Sequence, residues 1–144
     1  MKQNYSLNPI NVVDAIMVDS NKKILLQLRD SNKAIAGPNK WGLIGGRINS
    51  NETPEQALHR EIQEETGKSV SQSKLLDEKE DSFGSTQYHH YVFFVPFVGK
   101  IVRLYEGVGF RFCTVKDLEY LELTPWFVRI YTKSINLLKT QSIL

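Results

Sequence analysis

Between Gly46 and Gly67 the chain sets Glu52, Arg60, Glu61, Glu64 and Glu65 at fixed offsets behind a double glycine. The local chemistry of this stretch predicts a helix. Thr53 is a good N-cap, Pro54 suits the first helical position, and Gln56 completes the Thr-x-x-Gln capping box. Gly67 stops the helix because it enters a left-handed conformation without steric cost. The expected span is Pro54 to Thr66, within a residue or two. At roughly 100° per residue, Ala57, Glu61, Glu64 and Glu65 share one arc. Leu58 and Ile62 lie beside that arc and face the core, while Gln56, His59 and Gln63 point to solvent.

The acids are badly placed for a helix on its own. Glu61 meets Glu64 at i,i+3 and Glu65 at i,i+4, and each like-charge pair costs about 0.2–0.5 kcal/mol. They also sit toward the C-terminal half, where the helix dipole disfavours anions. A bound divalent cation reverses both penalties, and oxygen-only ligands suit Mg²⁺ or Mn²⁺. Read alone, the same face is equally a solvated acidic surface.

The residues in front of the helix bear on that choice. In Trp41-Gly-Leu-Ile-Gly-Gly-Arg-Ile48, Leu43, Ile44 and Ile48 read as strand. Gly45-Gly46 marks a close backbone approach or a tight turn, and a backbone carbonyl there is a further candidate oxygen ligand. The chain has no Gly-x-Gly-x-x-Gly and no Gly-Lys-Ser/Thr phosphate loop.

Taken together, Gly46 to Gly67 resembles the Nudix box, Gly-x5-Glu-x7-Arg-Glu-U-x-Glu-Glu-x-Gly-U, with U a bulky aliphatic residue. Gly46, Glu52, Arg60, Glu61, Ile62, Glu64, Glu65 and Gly67 match. Two positions depart from it. Lys68 replaces the last aliphatic residue, with Val70 expected to supply the packing, and Ile44 stands where many members have proline. The box covers about a sixth of the chain, and the flanking pattern extends the likeness over most of the rest.

The resemblance implies a MutT-like Nudix hydrolase, an α/β fold with a mixed β-sheet sandwiched between helices. It implies cleavage of a nucleoside diphosphate linked to another group, with Mg²⁺ or Mn²⁺ as cofactor. By the same analogy Glu64, Glu65 and the Gly45 carbonyl are metal ligands. Glu61 is a ligand or the general base, and Arg60 and Glu52 form an ion pair orienting the helix, with Gly46 supporting the site. Glu106 is a candidate further ligand or an ordinary loop acid. Arg29, Trp41 and Tyr88 are candidate substrate contacts.

At 144 residues the chain reads as one Nudix domain spanning 1–144, with 41% hydrophobic residues and a net charge of +2. Scattered basic residues and so small a charge argue against a polymeric nucleic-acid surface. No apolar run reaches the ~18 residues of a membrane span, and no signal segment opens the chain. Cys113 is the only cysteine. It reads as a packed core thiol, and a cytoplasmic location is expected.

Strand signals fall at Val12–Val18, Ile24–Arg29, Tyr88–Val98 and Val108–Thr114, the third as a central strand buried on both faces. Thr114 caps a short helix through Leu121. A last helix opens at Thr124-Pro125 and carries Phe127, Tyr131, Ile135 and Leu138 at helical spacing. His89 and His90 point to opposite faces of a strand and do not serve one site together. Trp41, Tyr88, Phe94 and Phe110 suit base stacking or core packing.

Three readings of function follow. The first is hydrolysis of a nucleoside triphosphate, ordinary or modified. The second is hydrolysis of a nucleotide sugar, ADP-ribose or a dinucleoside polyphosphate. Against it, Leu76 to Thr86 lacks the proline or tyrosine that such relatives often carry, and the box is complete, whereas mannosyl hydrolases usually lose part of it. The third is a catalytically silent nucleotide sensor, which the retained box acids disfavour. The expected partner is a small nucleotide, and homodimers are frequent in the family.

Overall fold

Strand β1 (Ile10–Val18) organises the molecule by alternation. In this computed structural model, which describes residues 8–30, 37–99 and 109–144, Val13, Ala15 and Met17 point to one side of the sheet. There they form an apolar cluster with Ala57, Leu58 and Ile62 of helix α1 (Pro54–Thr66). Ile16 and Val18 point the other way, into a cluster with Ile130, Tyr131, Ile135 and Leu138 of helix α2 (Phe127–Thr140). One period-2 strand therefore builds two cores, giving the expected α/β/α sandwich.

The other strands are β2 (Ile24–Leu28), β3 (Trp41–Gly42), β4 (Ile44–Arg47), β5 (Lys74–Phe83), β6 (Thr86–Pro96) and β7 (Gly109–Cys113). Along the sheet the order is β3-β2-β1-β6-β5, with β4 added to β1 and β7 to β2. β6 runs parallel to β1 from Ile10↔Tyr88 to Val18↔Pro96. On its other edge β1 meets β2 only at Val18↔Ile24, and β4 antiparallel from Val12↔Arg47 to Ala15↔Ile44. Because β2 diverges from β1, the Gly45–Gly46 backbone can lie alongside β1.

Several expectations need correction. β5 was absent from the strand signals, and its Asp, Glu and Lys residues explain why. His59 is half-buried rather than solvent-facing, with a buried Nε2 that has no hydrogen-bond partner among the described residues. α2 begins at Phe127, not at Thr124. The Thr124 N–H donates to the Trp41 carbonyl at 2.9 Å, beside a bridge between Trp41 and Leu123, which holds that segment extended. β6 is fully buried at Val92 and Val95 but only partly at Tyr88, His89 and Tyr91.

Other readings hold. Cys113 is buried and unpaired, and Val70 packs against the α1 cluster. Thr114 accepts from the Asp117 N–H at 3.2 Å at the head of the 3₁₀ turn Lys116–Tyr120. Among the described residues no helix is long and apolar enough to cross a membrane.

Candidate active site

Helix α1 presents the box acids through the capping its sequence foretells. Thr53 Oγ1 accepts from the Gln56 N–H at 3.2 Å, and Gln56 Oε1 accepts from the Thr53 N–H at 2.9 Å. At the far end Gly67 adopts φ +75° and donates to the Gln63 carbonyl at 2.9 Å. These fixed ends set which residues face the sheet. Glu65 is 5% exposed, whereas the Glu64 side chain is 58% exposed.

Arg60 is the centre of an ion-pair network. Its Nε donates to Glu52 Oε2 at 2.6 Å and its Nη2 to Glu52 Oε1 at 2.8 Å, a forked arrangement. Nη2 also donates to the Arg47 carbonyl at 2.9 Å. Nη1 donates to Glu61 Oε1 at 2.8 Å and to Glu64 Oε2 at 3.3 Å. Glu52 closes the loop by accepting from the Asn49 N–H at 2.8 Å. The Arg60 pair and that amide hold the Glu52 carboxyl down at about 2, and Glu52 in turn raises the Arg60 guanidinium.

Gly45 and Gly46 are demanded by their surroundings, in two different ways. A Cβ on Gly45 would lie 2.0 Å from the Val13 carbonyl oxygen, backbone against backbone. A Cβ on Gly46 would lie 2.4 Å from the Glu61 carboxylate. The Glu61 carboxylate therefore rests in a cradle that only glycine leaves open.

The donor set of this region is oxygen only: the carboxylates of Glu61, Glu64 and Glu65 and the carbonyl of Gly45. That chemistry fits a hard divalent cation. Among the described residues no three acidic, histidine or cysteine side chains converge on one point as they stand. Instead Arg60 Nη1 lies between Glu61 and Glu64. The exposed Glu64 side chain is free to reorient without disturbing the core.

A cavity of about 380 Å³ opens on the other side of the Gly45–Gly46 backbone, within the usual range of ligand sites. Gly45 and Gly46 line it at one end, with Arg29, Arg47 and Tyr88 also on its wall. Phe83 and Trp126 add an aromatic edge-to-face pair at 5.6 Å, and Arg29 stacks over Trp126 at 5.6 Å.

Of the candidate substrate contacts, Arg29 and Tyr88 therefore line the cavity. Trp41 instead packs against the α2 core. Glu106 lies outside the described residues. His89 faces Glu78 and Glu80, while His90 is buried against Asp14. The two imidazoles take opposite faces.

Sequence reasoning missed the polar bottom of this cavity. His90 Nδ1 lies 2.6 Å from Asp14 Oδ2, and Tyr131 O–H donates to Asp14 Oδ1 at 2.8 Å. Burial, and then the Asp14 carboxylate, push the Tyr131 phenol well above its ordinary value. Asp81 is held down by a forked pair with Arg129. One signal was available: Asp14 is the only charge in the apolar run Val12–Val18, and a lone acid in a buried strand requires partners.

The NUDIX domain family model matches residues 9–133. The chain belongs to that family. It is 37% identical over 68 residues to an 8-oxo-dGTP diphosphatase of Proteus vulgaris, a match spanning 47% of this chain and 59% of that protein. A CTP pyrophosphohydrolase of Escherichia coli is 27% identical over 116 residues, or 81% of this chain and 84% of its own length. In structure it resembles the MutT protein of Methanosarcina mazei Go1, with a TM-score of 0.78 at 22% identity, covering 90% of this chain and 95% of the other. The chain spans less than two thirds of the length of the Proteus vulgaris relative it matches.

Proposed function

We propose that this NUDIX protein is a divalent-metal-dependent pyrophosphohydrolase that cleaves a nucleoside triphosphate, ordinary or modified, to the monophosphate and pyrophosphate. One observation carries the reading. The Gly45–Gly46 backbone is shared, lying against the Glu61 carboxylate on one side and lining the cavity on the other. A nucleoside held in the cavity would place its phosphate chain at the box acids. The diphosphatase and pyrophosphohydrolase relatives, whose names specify 8-oxo-dGTP and CTP, support a triphosphate substrate.

In this reading Glu64, Glu65 and the Gly45 carbonyl hold Mg²⁺ or Mn²⁺, and Glu61 is a further ligand or the base that takes a proton from water. Bound there, the ion supplies neutralising charge for phosphate oxygens and a bound water of lowered pKa. Glu52 and Arg60 act through others: their forked pair fixes Glu61 against Gly46 and ties α1 to the Arg47 carbonyl. Arg29 and Tyr88, on the cavity wall, contact the substrate.

The test is a panel of nucleoside triphosphates, nucleotide sugars, ADP-ribose and dinucleoside polyphosphates, each with Mg²⁺, Mn²⁺ or chelator. Release of pyrophosphate from one or more triphosphates, abolished by chelator, is expected. Turnover confined to the sugars or dinucleotides, or tight binding of nucleotides without turnover, overturns the reading.

A further inference from the structure

Four of the buried residues lining the cavity carry polar groups. Asp14 is 8% exposed, His90 5%, Thr124 3% and Tyr131 1%. Their hydrogen bonds have a direction. Trp126 Nε1–H donates to Tyr131 Oη at 3.3 Å, and Tyr131 O–H donates onward to Asp14 Oδ1. A carboxylate only accepts, so His90 Nδ1 carries the proton of its 2.6 Å contact with Asp14 Oδ2. The Tyr131 and His90 protons both point at Asp14, and the Trp126 proton points at Tyr131.

What remains at this buried end is acceptor capacity on the carboxylates. Each Asp14 oxygen keeps a second lone pair. Asp81, also on the wall, accepts both of its Arg129 bonds and offers further lone pairs. Thr124 Oγ1 is buried there with no hydrogen-bond partner among the described residues, and a native structure rarely leaves such a group unmet. A ligand group that hydrogen-bonds it would meet that need.

We propose that Asp14 and Thr124, with Asp81 beside them, determine which nucleobase the cavity accepts, by presenting acceptors to a base edge that carries amino N–H groups, while His90 and Tyr131 hold the Asp14 carboxylate. The inference rests on the nucleotide reading of the adjoining site. An amino group meets these acceptors, whereas a carbonyl in its place sets lone pair against lone pair and leaves buried groups unpaired. Phe83, Tyr88 and Trp126 supply apolar ring surface for the body of the base. Tyr131 acts through Asp14: its hydroxyl holds the carboxylate in place.

Two pairs of nucleotides isolate the amino group. GMP differs from IMP by its presence, and CMP differs from UMP by amino in place of carbonyl. Calorimetric titration of the full chain without metal measures base recognition apart from turnover. GMP is expected to bind about tenfold or more tightly than IMP, and CMP than UMP, the scale of one hydrogen bond to a buried acceptor. Asp14→Asn, which turns an acceptor oxygen into a donor, should bring each pair within about threefold. Tyr131→Phe keeps the acceptors and should keep the preference.

Equal affinities within each wild-type pair overturn the proposal, as do a preference for IMP and UMP or the absence of measurable binding by all four. A preference that survives in folded Asp14→Asn overturns the assignment to these residues. Should Asp14→Asn fail to fold, the wild-type pairs still decide. The hydrolysis reading fails separately: no metal-dependent turnover, with the amino preference intact, would refute that reading and leave this one standing.

Discussion

Arg60 and Glu52, eight residues apart, meet as a forked pair with both carboxylate oxygens engaged, at 2.6 and 2.8 Å. The pair joins the loop after β4 to the middle of α1, and the same guanidinium reaches the Glu61 carboxylate and the Arg47 carbonyl. A lysine could not reproduce this, because its ammonium is a point donor rather than a planar fork.

This pair makes an acid-sensitive contribution to stability. Glu52 is held at about 2 against an ordinary value of 4.5, so the unfolded chain takes up this proton first as pH falls. The contribution is complete above pH 4.5 and is lost on descending from 4.5 toward 2. Glu52→Gln lacks it at every pH. Urea midpoints of the two proteins should therefore differ at neutral pH and converge in acid. A gap that stays constant over that range would show that the pair does not govern the titration.

Gly45 and Gly46 should fail differently when given a methyl group. Gly45→Ala drives Cβ into the Val13 carbonyl, and two paired strands must separate. Its main effect is expected on folding, with a large fall in Tm. Gly46→Ala meets only the end of the Glu61 side chain, which can swing aside. Its Tm should stay near wild type while kcat falls tenfold or more, roughly the scale for losing a group that orients a metal ligand. Equal loss of Tm in both variants would refute the cradle.

The box helix was legible because its determinants are local. Thr53, Pro54, Gln56 and Gly67 specify both ends within the span they terminate, and β1 and β2 announce themselves as apolar runs. β5 was illegible because Lys74-Leu-Leu-Asp-Glu-Lys-Glu-Asp-Ser-Phe83 is poor in strand-forming residues. It is a strand through its pairing with β6, from Lys74↔Phe94 to Phe83↔Thr86. The cavity bottom was hidden for a related reason. Asp14 meets His90 across 76 positions and Tyr131 across 117, and no local pattern encodes such contacts. Strand alternation set His90 on the opposite face from His89, but its partner came only with the β1–β6 register.

Glu65 and Glu64 should separate by burial. Glu65 is nearly enclosed, while Glu64 stands half in solvent. As ligands, both lose metal-dependent turnover on conversion to glutamine, by about a hundredfold or more if each holds several kcal/mol of the ion's effect. In metal-free protein the two should differ. Glu64→Gln leaves Tm within a degree or two, as an exposed pair contributes little. Glu65→Gln relieves a buried carboxylate of its charge and shifts Tm measurably. Full turnover in Glu64→Gln would remove it from the ligand set.

Tyr131 gives the buried network an alkaline signature. Its hydroxyl donates to Asp14 and accepts from Trp126, and its ring is 1% exposed. Tyr131→Phe leaves the Asp14 oxygen short of a donor, a loss of about 1–3 kcal/mol at neutral pH. The folded phenol titrates well above its ordinary value of 10.0, so this contribution is complete below pH 10 and fades as pH rises through the unfolded value. The stability difference between wild type and Tyr131→Phe should therefore narrow above pH 10. Ultraviolet titration should show a tyrosinate deficit in the folded wild type, relative to the unfolded protein, that is smaller in Tyr131→Phe. A difference that holds steady, or widens, across the alkaline range would mean that Asp14 does not depend on this proton.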